Sequence, residues 1–210
     1  GVELSFEESE NAIPEDFRNP ESTLVVYTAA MSESHPILKY FRQNGFEVLK
    51  RAAVLGLITR NSKGICFSGT HGKTTTSSMA AHILHNSSVG CNAFLGGILR
   101  NYNSNLLLSE TSPYTVIEAD EFDRSFLRLK PDVAVITAVA ADHLDIYGTF
   151  EAVVEAFGQF AALIKQGGHL IIKQGVDIPL PAAGINIWRY SYDTPCDFYA
   201  KNVTLCEGGY

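Results

Sequence analysis

The chain has 210 residues, of which 46% are hydrophobic and 19% charged, so it can bury a large core. It carries 16 Lys and Arg against 23 Asp and Glu, a formal net charge of −7. This balance disfavours a general binding surface for nucleic acid or anionic membrane, because both require basic patches. No apolar stretch reaches the roughly 18 residues of a membrane span, and the acidic start is unlike a signal peptide. We therefore expect a cytoplasmic α/β protein with no nucleic acid or membrane partner.

The four cysteines are scattered and form no CxxC pair. They are Cys66, Cys91, Cys196 and Cys206. Each lies in an apolar or mixed context, so we expect reduced and mostly buried thiols rather than disulfides.

The first third of the chain alternates predicted strands and helices, which favours a parallel sheet covered by helices. Ser34 is predicted to cap the first helix, with Pro36 in its first turn and Gly45 at its end. The short polar stretch at 61–64 is the best candidate for a linker. The predicted elements are strands at 23–28 and 46–49 and helices at 34–45 and 51–60.

A second β-α rhythm follows the linker. The segment 150–164 is strongly amphipathic, with apolar residues at helical spacing and Thr149 as its predicted cap. The stretch after Pro195 alternates loosely and is predicted to begin an antiparallel segment. The other predicted elements are strands at 64–68, 115–117, 133–137 and 170–173 and a helix at 73–85.

The strongest motif joins the strand at 64–68 to the helix at 73–85. It reads Gly69-Thr70-His71-Gly72-Lys73-Thr74-Thr75. Glycines allow backbone amides to turn around phosphate oxygens, and the following helix N-terminus favours an anion. In such a loop the lysine reaches the terminal phosphates and the following hydroxyl binds Mg²⁺. The loop is shorter than GxxxxGK[ST], but its strand–turn–helix context predicts a nucleotide phosphate site.

Two further polar residues follow predicted strands. Glu118 directly follows the strand at 115–117, and His143 comes shortly after the strand at 133–137. In a parallel sheet both would lie at the carboxyl edge, beside the phosphate loop. Five acidic residues lie near them. They are expected to cap turns, to pair with Arg124 or Arg128, or to support the site from behind. They are Asp120, Glu121, Asp123, Asp142 and Asp145.

His82 and His85 lie three residues apart on one face of the predicted helix at 73–85, a spacing that would permit a metal pair. No third ligand is apparent, so we expect both side chains to face solvent.

Three strings together resemble the Mur ligases, the ATP-dependent amide ligases that build the peptide stem of bacterial peptidoglycan. They are GTHGKTTT from Gly69, EADEFDRSF from Glu118 and ADHLDIYGTF from Ala141, with Phe94-Leu95-Gly96-Gly97 between the first two. The resemblance implies an α/β fold: residues 1–62 as the C-terminal half of a Rossmann-like UDP-sugar domain, followed by an incomplete P-loop ATPase-type central domain at 63–210 with a mostly parallel sheet. It implies that the C-terminal domain is absent.

The resemblance also implies site residues and cofactors. ATP would bind to Gly69, Thr70, His71, Gly72, Lys73, Thr74 and Thr75. Thr74 and Glu118 would hold the nucleotide Mg²⁺, and Glu118 with His143 a second Mg²⁺. Lys73, Glu118 and His143 would be the catalytic residues.

The implied activity is the joining of L-alanine to the carboxylate of UDP-N-acetylmuramate through an acyl phosphate, in the bacterial cytoplasm. A chain this incomplete is expected to be weakly active or inactive. One alternative is a recycling ligase that attaches a whole tripeptide to the same UDP-sugar; folate-polyglutamate synthetases fit the EADE string less well. An alternative of another class is a nucleotide-binding regulatory module without ligase activity. The oligomeric state stays open.

Overall fold

The structure, a computed structural model, describes residues 4–28 and 30–204. The chain divides into two compact units, residues 1–55 and 56–210. The division falls inside a helix, so the domain assignment of 1–62 and 63–210 stays a prediction. No helix within the described ranges is long and apolar enough to cross a membrane.

The first unit contains a parallel strand pair joined by one helix. Strand β1 (Leu24–Tyr27) pairs with β2 (Glu47–Lys50), and α1 (Pro36–Gln43) connects them. Ile13, Phe41 and Phe46 form its small buried cluster. The predicted cap at Ser34 is wrong: His35 is the N-cap, and the Ser34 hydroxyl instead hydrogen-bonds with Ser32 Oγ.

Helix α2 (Arg51–Asn61) runs across the division and leads into the second unit. Near its end the Thr59 side chain is fully buried; its hydroxyl donates to Gly56 O at 2.9 Å and accepts from Lys130 N at 3.0 Å. The predicted linker at 61–64 is wrong, because α2 includes Asn61 and the next strand begins at Lys63. A polar sequence here marks a short turn rather than a flexible connection.

The second unit is built on an eight-stranded sheet with the order β10-β9-β8-β7-β3-β6-β4-β5. Every described pair is parallel except β4–β5. The strands are β3 (Lys63–Ser68), β4 (Asn92–Leu99), β5 (Ser104–Leu107), β6 (Tyr114–Glu118), β7 (Val133–Ile136), β8 (His169–Lys173), β9 (Asn186–Ser191) and β10 (Phe198–Tyr199). The mostly parallel α/β sheet predicted from the sequence is confirmed.

Helices α3 (Lys73–His85) and α5 (Phe150–Ala162) agree with the predicted segments. The Thr149 side chain accepts a hydrogen bond from Ala152 N at 3.2 Å, so the predicted cap is confirmed. On α5, Phe160 stacks on the buried Phe126 of a 3₁₀ helix at a ring distance of 5.0 Å. This burial fixes the helix, because each large apolar side chain removed from water contributes roughly 1.5–3 kcal/mol.

The predicted antiparallel segment after Pro195 is wrong. Phe198 lies opposite Tyr190 and Tyr199 opposite Ser191, so β10 extends the parallel order. The connection is held by Asp197, whose carboxylate accepts Arg189 N at 2.7 Å. A turn braced in this way brings the chain back alongside β9 without reversing it.

Candidate active site

The loop between β3 and α3 turns tightly at two glycines. Gly69 and Gly72 have φ angles of +137° and +87°, a region that other residues rarely adopt. A Cβ on Gly69 would overlap Thr137 Oγ1 and lie 2.9 Å from Ala138 N. The loop therefore needs glycine at Gly69 both for its turn and for its close approach to the end of β7.

The end of β7 braces this loop from behind. Thr70 N donates to Ala138 O at 3.0 Å, and Thr137 Oγ1 donates to Ser68 O at 3.1 Å. The Thr137 hydroxyl also lies within hydrogen-bond distance of His71 O. These contacts hold the loop at the carboxyl edge of the sheet, where ligands of open α/β sheets bind.

Lys73, the first residue of α3, points back over the loop. Its ammonium donates to Gly69 O at 2.9 Å and to Glu121 Oε1 at 2.8 Å. The lysine side chain is 15% exposed and that of Glu121 is 1% exposed. The positive charge is thus fixed beside the loop.

Sequence reasoning missed the specific contact of Glu121 with the loop lysine. The sequence offers three roles for Glu121: capping a turn, pairing with Arg124 or Arg128, or supporting the site from behind. The structure shows the third, because its partner is Lys73 of the loop. Burial raises the pKa of Glu121, and the Lys73 ammonium opposes this rise. Its second oxygen, Oε2, is buried without a hydrogen-bond partner. No periodicity marks Glu121 in the sequence, because it lies beyond the end of β6, outside any helix or strand.

The backbone of Glu121 is fixed by the short helix α4 (Leu144–Tyr147). Tyr147 Oη donates to Glu121 O at 2.6 Å, and burial raises the pKa of Tyr147 to about 12. The Arg124 guanidinium lies 4.8 Å from the centre of the same tyrosine ring. Tyr147 therefore keeps its proton at neutral pH and anchors the turn that carries Glu121.

Thr74 and Glu118 come together as the sequence predicts. Strands β3 and β6 are neighbours, and Thr74 Oγ1 donates to Glu118 Oε1 at 2.8 Å. The other carboxylate oxygen, Oε2, accepts Gly96 N of β4 at 2.8 Å. The site thus offers a hydroxyl and a carboxylate on adjacent elements beside the phosphate loop.

His143 lies next to Glu121 rather than Glu118. Its Nε2 is 3.9 Å from Glu121 Oε1, and its ring meets the Phe122 ring edge-on at 5.1 Å. In the described part of the chain no hydrogen bond or ion pair joins His143 to Glu118. His71 belongs to the predicted phosphate loop. Its ring atom Nδ1 lies 3.1 Å from Thr70 Oγ1 of the same loop.

The other acidic neighbours mostly stabilise turns. Asp120 accepts Phe122 N at 3.3 Å, Asp123 accepts Ser125 N at 3.0 Å, and Asp142 accepts His143 N at 2.8 Å. Asp145 lies in the first turn of α4. The expected turn-capping role is therefore found for Asp120, Asp123 and Asp142.

The donor set suits Mg²⁺ bound together with a nucleotide. Mg²⁺ prefers oxygen ligands and usually takes one or two from the protein, the rest from phosphates and water. Thr74 and Glu118 supply such oxygens. Across residues 4–28 and 30–204, no group of three or more His, Cys, Asp or Glu side chains is arranged to hold a metal by itself.

His82 and His85 lie at the far end of α3. His82 is exposed, and its Nδ1 lies 2.8 Å from Tyr102 Oη. His85 is half-buried, and its ring meets the Tyr102 ring edge-on at 5.2 Å. The expectation of solvent-facing histidines is therefore met by His82 and in part by His85.

Comparison with known proteins gives similarity over nearly the whole chain. This chain is 56% identical over 209 residues to a UDP-N-acetylmuramate–L-alanine ligase of Parabacteroides distasonis. The match covers 99% of this chain and 45% of that protein. The chain thus spans about half the length of the curated relatives it matches.

Solved structures share the fold. A UDP-N-acetylmuramate–alanine ligase from Thermotoga maritima matches with a TM-score of 0.71 at 22% identity, over 90% of this chain and 42% of that one. A MurF ligase from the same organism, solved in complex with ADP, matches with a TM-score of 0.53 at 16% identity, over 82% and 49%. Residues 67–210 match the family model of the Mur ligase middle domain, and the chain belongs to the Mur ligase family.

Proposed function

We propose that this chain provides the nucleotide site of an ATP-dependent ligase that joins L-alanine to the carboxylate of UDP-N-acetylmuramate in the bacterial cytoplasm. The observation that carries the proposal is the placement of Lys73, Thr74 and Glu118 together at the carboxyl ends of β3 and β6. The substrates are inferred from the relative that is 56% identical and bears this activity in its name.

The phosphate loop would bind the ATP phosphates through its backbone amides from Gly69 to Thr75 and through the Lys73 ammonium. Phosphoryl transfer depends on positioning and charge neutralisation more than on covalent help from the protein. Gly69 O and Glu121 hold the Lys73 ammonium beside the loop, so its charge is placed there before phosphates bind.

Thr74 and Glu118 would hold the nucleotide Mg²⁺, which supplies charge neutralisation at the phosphate oxygens. Glu118 and His143 remain our proposed ligands for a second Mg²⁺ beside the substrate carboxylate. His143 lies near Glu121 in this structure, so this second assignment rests on the resemblance to the Mur ligases and not on a contact between Glu118 and His143.

The proposed reaction has two steps. A carboxylate oxygen of the muramoyl group attacks the γ-phosphorus of ATP, ADP leaves, and an acyl phosphate forms. The L-alanine amine then attacks the acyl carbon, the carbon–oxygen bond to phosphate breaks, and the amide forms. The amine loses a proton to solvent or to a base, and inorganic phosphate leaves.

The test is ADP release by the gene product that contains this chain. It would be assayed with UDP-N-acetylmuramate and Mg²⁺, adding L-alanine, glycine, L-serine or the peptidoglycan tripeptide in turn. We expect release that depends on L-alanine. Dependence on the tripeptide would indicate the recycling ligase instead, and nucleotide binding without amino-acid dependence would favour a regulatory module.

A further inference from the structure

The Gly96–Gly97 pair of β4 lies against the two oxygens of the proposed nucleotide Mg²⁺ site. Gly96 N donates to Glu118 Oε2 at 2.8 Å. A Cβ on Gly96 would lie 2.5 Å from Glu118 Oε1 and 2.7 Å from its Cδ and Oε2. A Cβ on Gly97 would lie 3.0 Å from Thr74 Cγ2. Each position therefore leaves little room for a side chain beside one member of the Thr74–Glu118 pair.

The path of β4 explains why a backbone amide is free at this point. The parallel pairing of β4 with β6 runs from Asn92 to Phe94, which lies opposite Ile117. The pairing of β4 with β5 is irregular between Phe94 and Leu99. Interruptions of this kind occur near active sites, and a glycine in a strand often marks a close approach. Gly96 thus leaves the ladder and donates its N–H to a side chain.

We propose that the Gly96–Gly97 pair is a positioning element for the metal site, with Gly96 fixing the Glu118 carboxylate and Gly97 leaving room for Thr74. With Oε2 held by a backbone amide, Oε1 is directed to the Thr74 hydroxyl. This inference rests on the proposed function, because it assumes that Thr74 and Glu118 bind the nucleotide Mg²⁺.

Gly96→Ala separates this role from a role in folding. The atoms that the new methyl would meet belong to the far end of a flexible side chain, so the carboxylate can swing away while the strand stays in place. We expect a melting temperature within about 4 °C of the unmodified chain, the shift produced by roughly 1 kcal/mol in a chain of this size. The carboxylate would no longer face Thr74.

The experiment is a titration of the gene product that contains this chain with a fluorescent ADP analogue at increasing Mg²⁺ concentration. We expect Gly96→Ala to raise the Mg²⁺ concentration for half-maximal binding about tenfold, the usual effect of removing a group that orients a metal ligand. Binding measured in EDTA should stay unchanged. Ile98→Ala, an exposed residue of the same strand, is the matched control and should behave like the unmodified chain.

Two further variants complete the test. Gly97→Ala should also raise the Mg²⁺ concentration for half-maximal binding, because its methyl group would press on Thr74. If Gly96→Ala does not fold, the same titration of Gly97→Ala tests the proposal. In a Glu118→Ala background, Gly96→Ala should have no additional effect, because it acts through Glu118.

The outcomes distinguish the positioning role of the Gly96–Gly97 pair from the metal site itself. If Glu118→Ala raises the Mg²⁺ requirement but Gly96→Ala and Gly97→Ala do not, the positioning role is overturned and the nucleotide site stands. An unchanged Mg²⁺ requirement in Glu118→Ala as well would overturn the metal site and the positioning role together.

Discussion

At the scale of single residues, the ion pair between Lys73 and Glu121 dominates the site. Both side chains are largely withdrawn from water, and the pair is joined at 2.8 Å. Removing one member of a buried pair leaves the other charge without compensation, which costs more than the pair itself contributes. A substitution of Lys73 therefore changes the stability of the chain as well as its ligand binding.

Lys73→Ala should remove most nucleotide binding and lower the free energy of unfolding by about 3 kcal/mol. Adding Glu121→Gln should restore much of the stability, because the buried carboxylate is gone, but not the nucleotide binding. Urea unfolding and titration with a fluorescent ADP analogue measure the two effects separately. Near-normal nucleotide affinity in Lys73→Ala would contradict its assignment to the phosphate site.

The cysteines also differ in their surroundings. Cys66 and Cys91 are buried free thiols, whereas Cys196 is half-buried. Burial raises the pKa of both Cys66 and Cys91. Cys206 falls outside the described residues. The expectation of mostly buried cysteines is confirmed for the first two.

Alkylation at pH 8 followed by mass spectrometry should label Cys196 in the folded chain and leave Cys66 and Cys91 unmodified. The reagent attacks thiolates, and a buried thiol with a raised pKa supplies very few of them. Both should be labelled after unfolding in urea. Rapid modification of Cys66 in the folded chain would show that the interior around β3 opens readily.

At the scale of elements, the carboxyl ends of β3, β6 and β7 converge. The sequence predicts these three strands because each is a short buried apolar run followed by polar residues. Their adjacency follows from the parallel α/β rhythm, and so the meeting of Thr74 with Glu118 was predictable. The carboxylate partner of Lys73 was not, because it depends on how the turn after β6 folds back.

Strands β4 and β5 escaped sequence reasoning for a physical reason. In β4 the Gly96–Gly97 pair interrupts the alternation of apolar and polar side chains on which strand recognition depends. The same interruption brings Gly96 N to Glu118. The segment that contains β10 was predicted to be antiparallel, but β10 pairs parallel with β9. A strand of two residues carries no sequence signal for the direction of its pairing.

Thr149 caps α5 through a side-chain oxygen, and this contact can be tested alone. Thr149→Ala should lower the free energy of unfolding by about 1 kcal/mol, whereas Thr149→Ser keeps the hydroxyl and should cost much less. Equilibrium denaturation in urea measures both. Since Thr149 is not part of the proposed nucleotide site, binding of the ADP analogue should be the same in all three proteins. Equal stability of the Ala and Ser variants would contradict the capping contact.

At the scale of the whole molecule, the fold class and the family could be predicted from the sequence. The strings that begin at Gly69, Glu118 and Ala141 each follow a predicted strand, in the order typical of the Mur ligases. The acidic balance of −7 is compatible with binding an anion because the positive charge is local: Lys73 and the start of α3 face the loop. Substrate selection is not readable from these residues. It rests on the relatives, of which this chain spans about half the length.

The most direct test of the account follows an oxygen atom. The gene product that contains this chain would be given ATP, Mg²⁺, L-alanine and UDP-N-acetylmuramate labelled with oxygen-18 in its carboxylate. The proposed reaction transfers one carboxylate oxygen to phosphate when the acyl phosphate is broken by the amine. We predict inorganic phosphate carrying one labelled oxygen, formed together with the amide. Unlabelled phosphate released in step with ADP would contradict activation of the carboxylate by ATP.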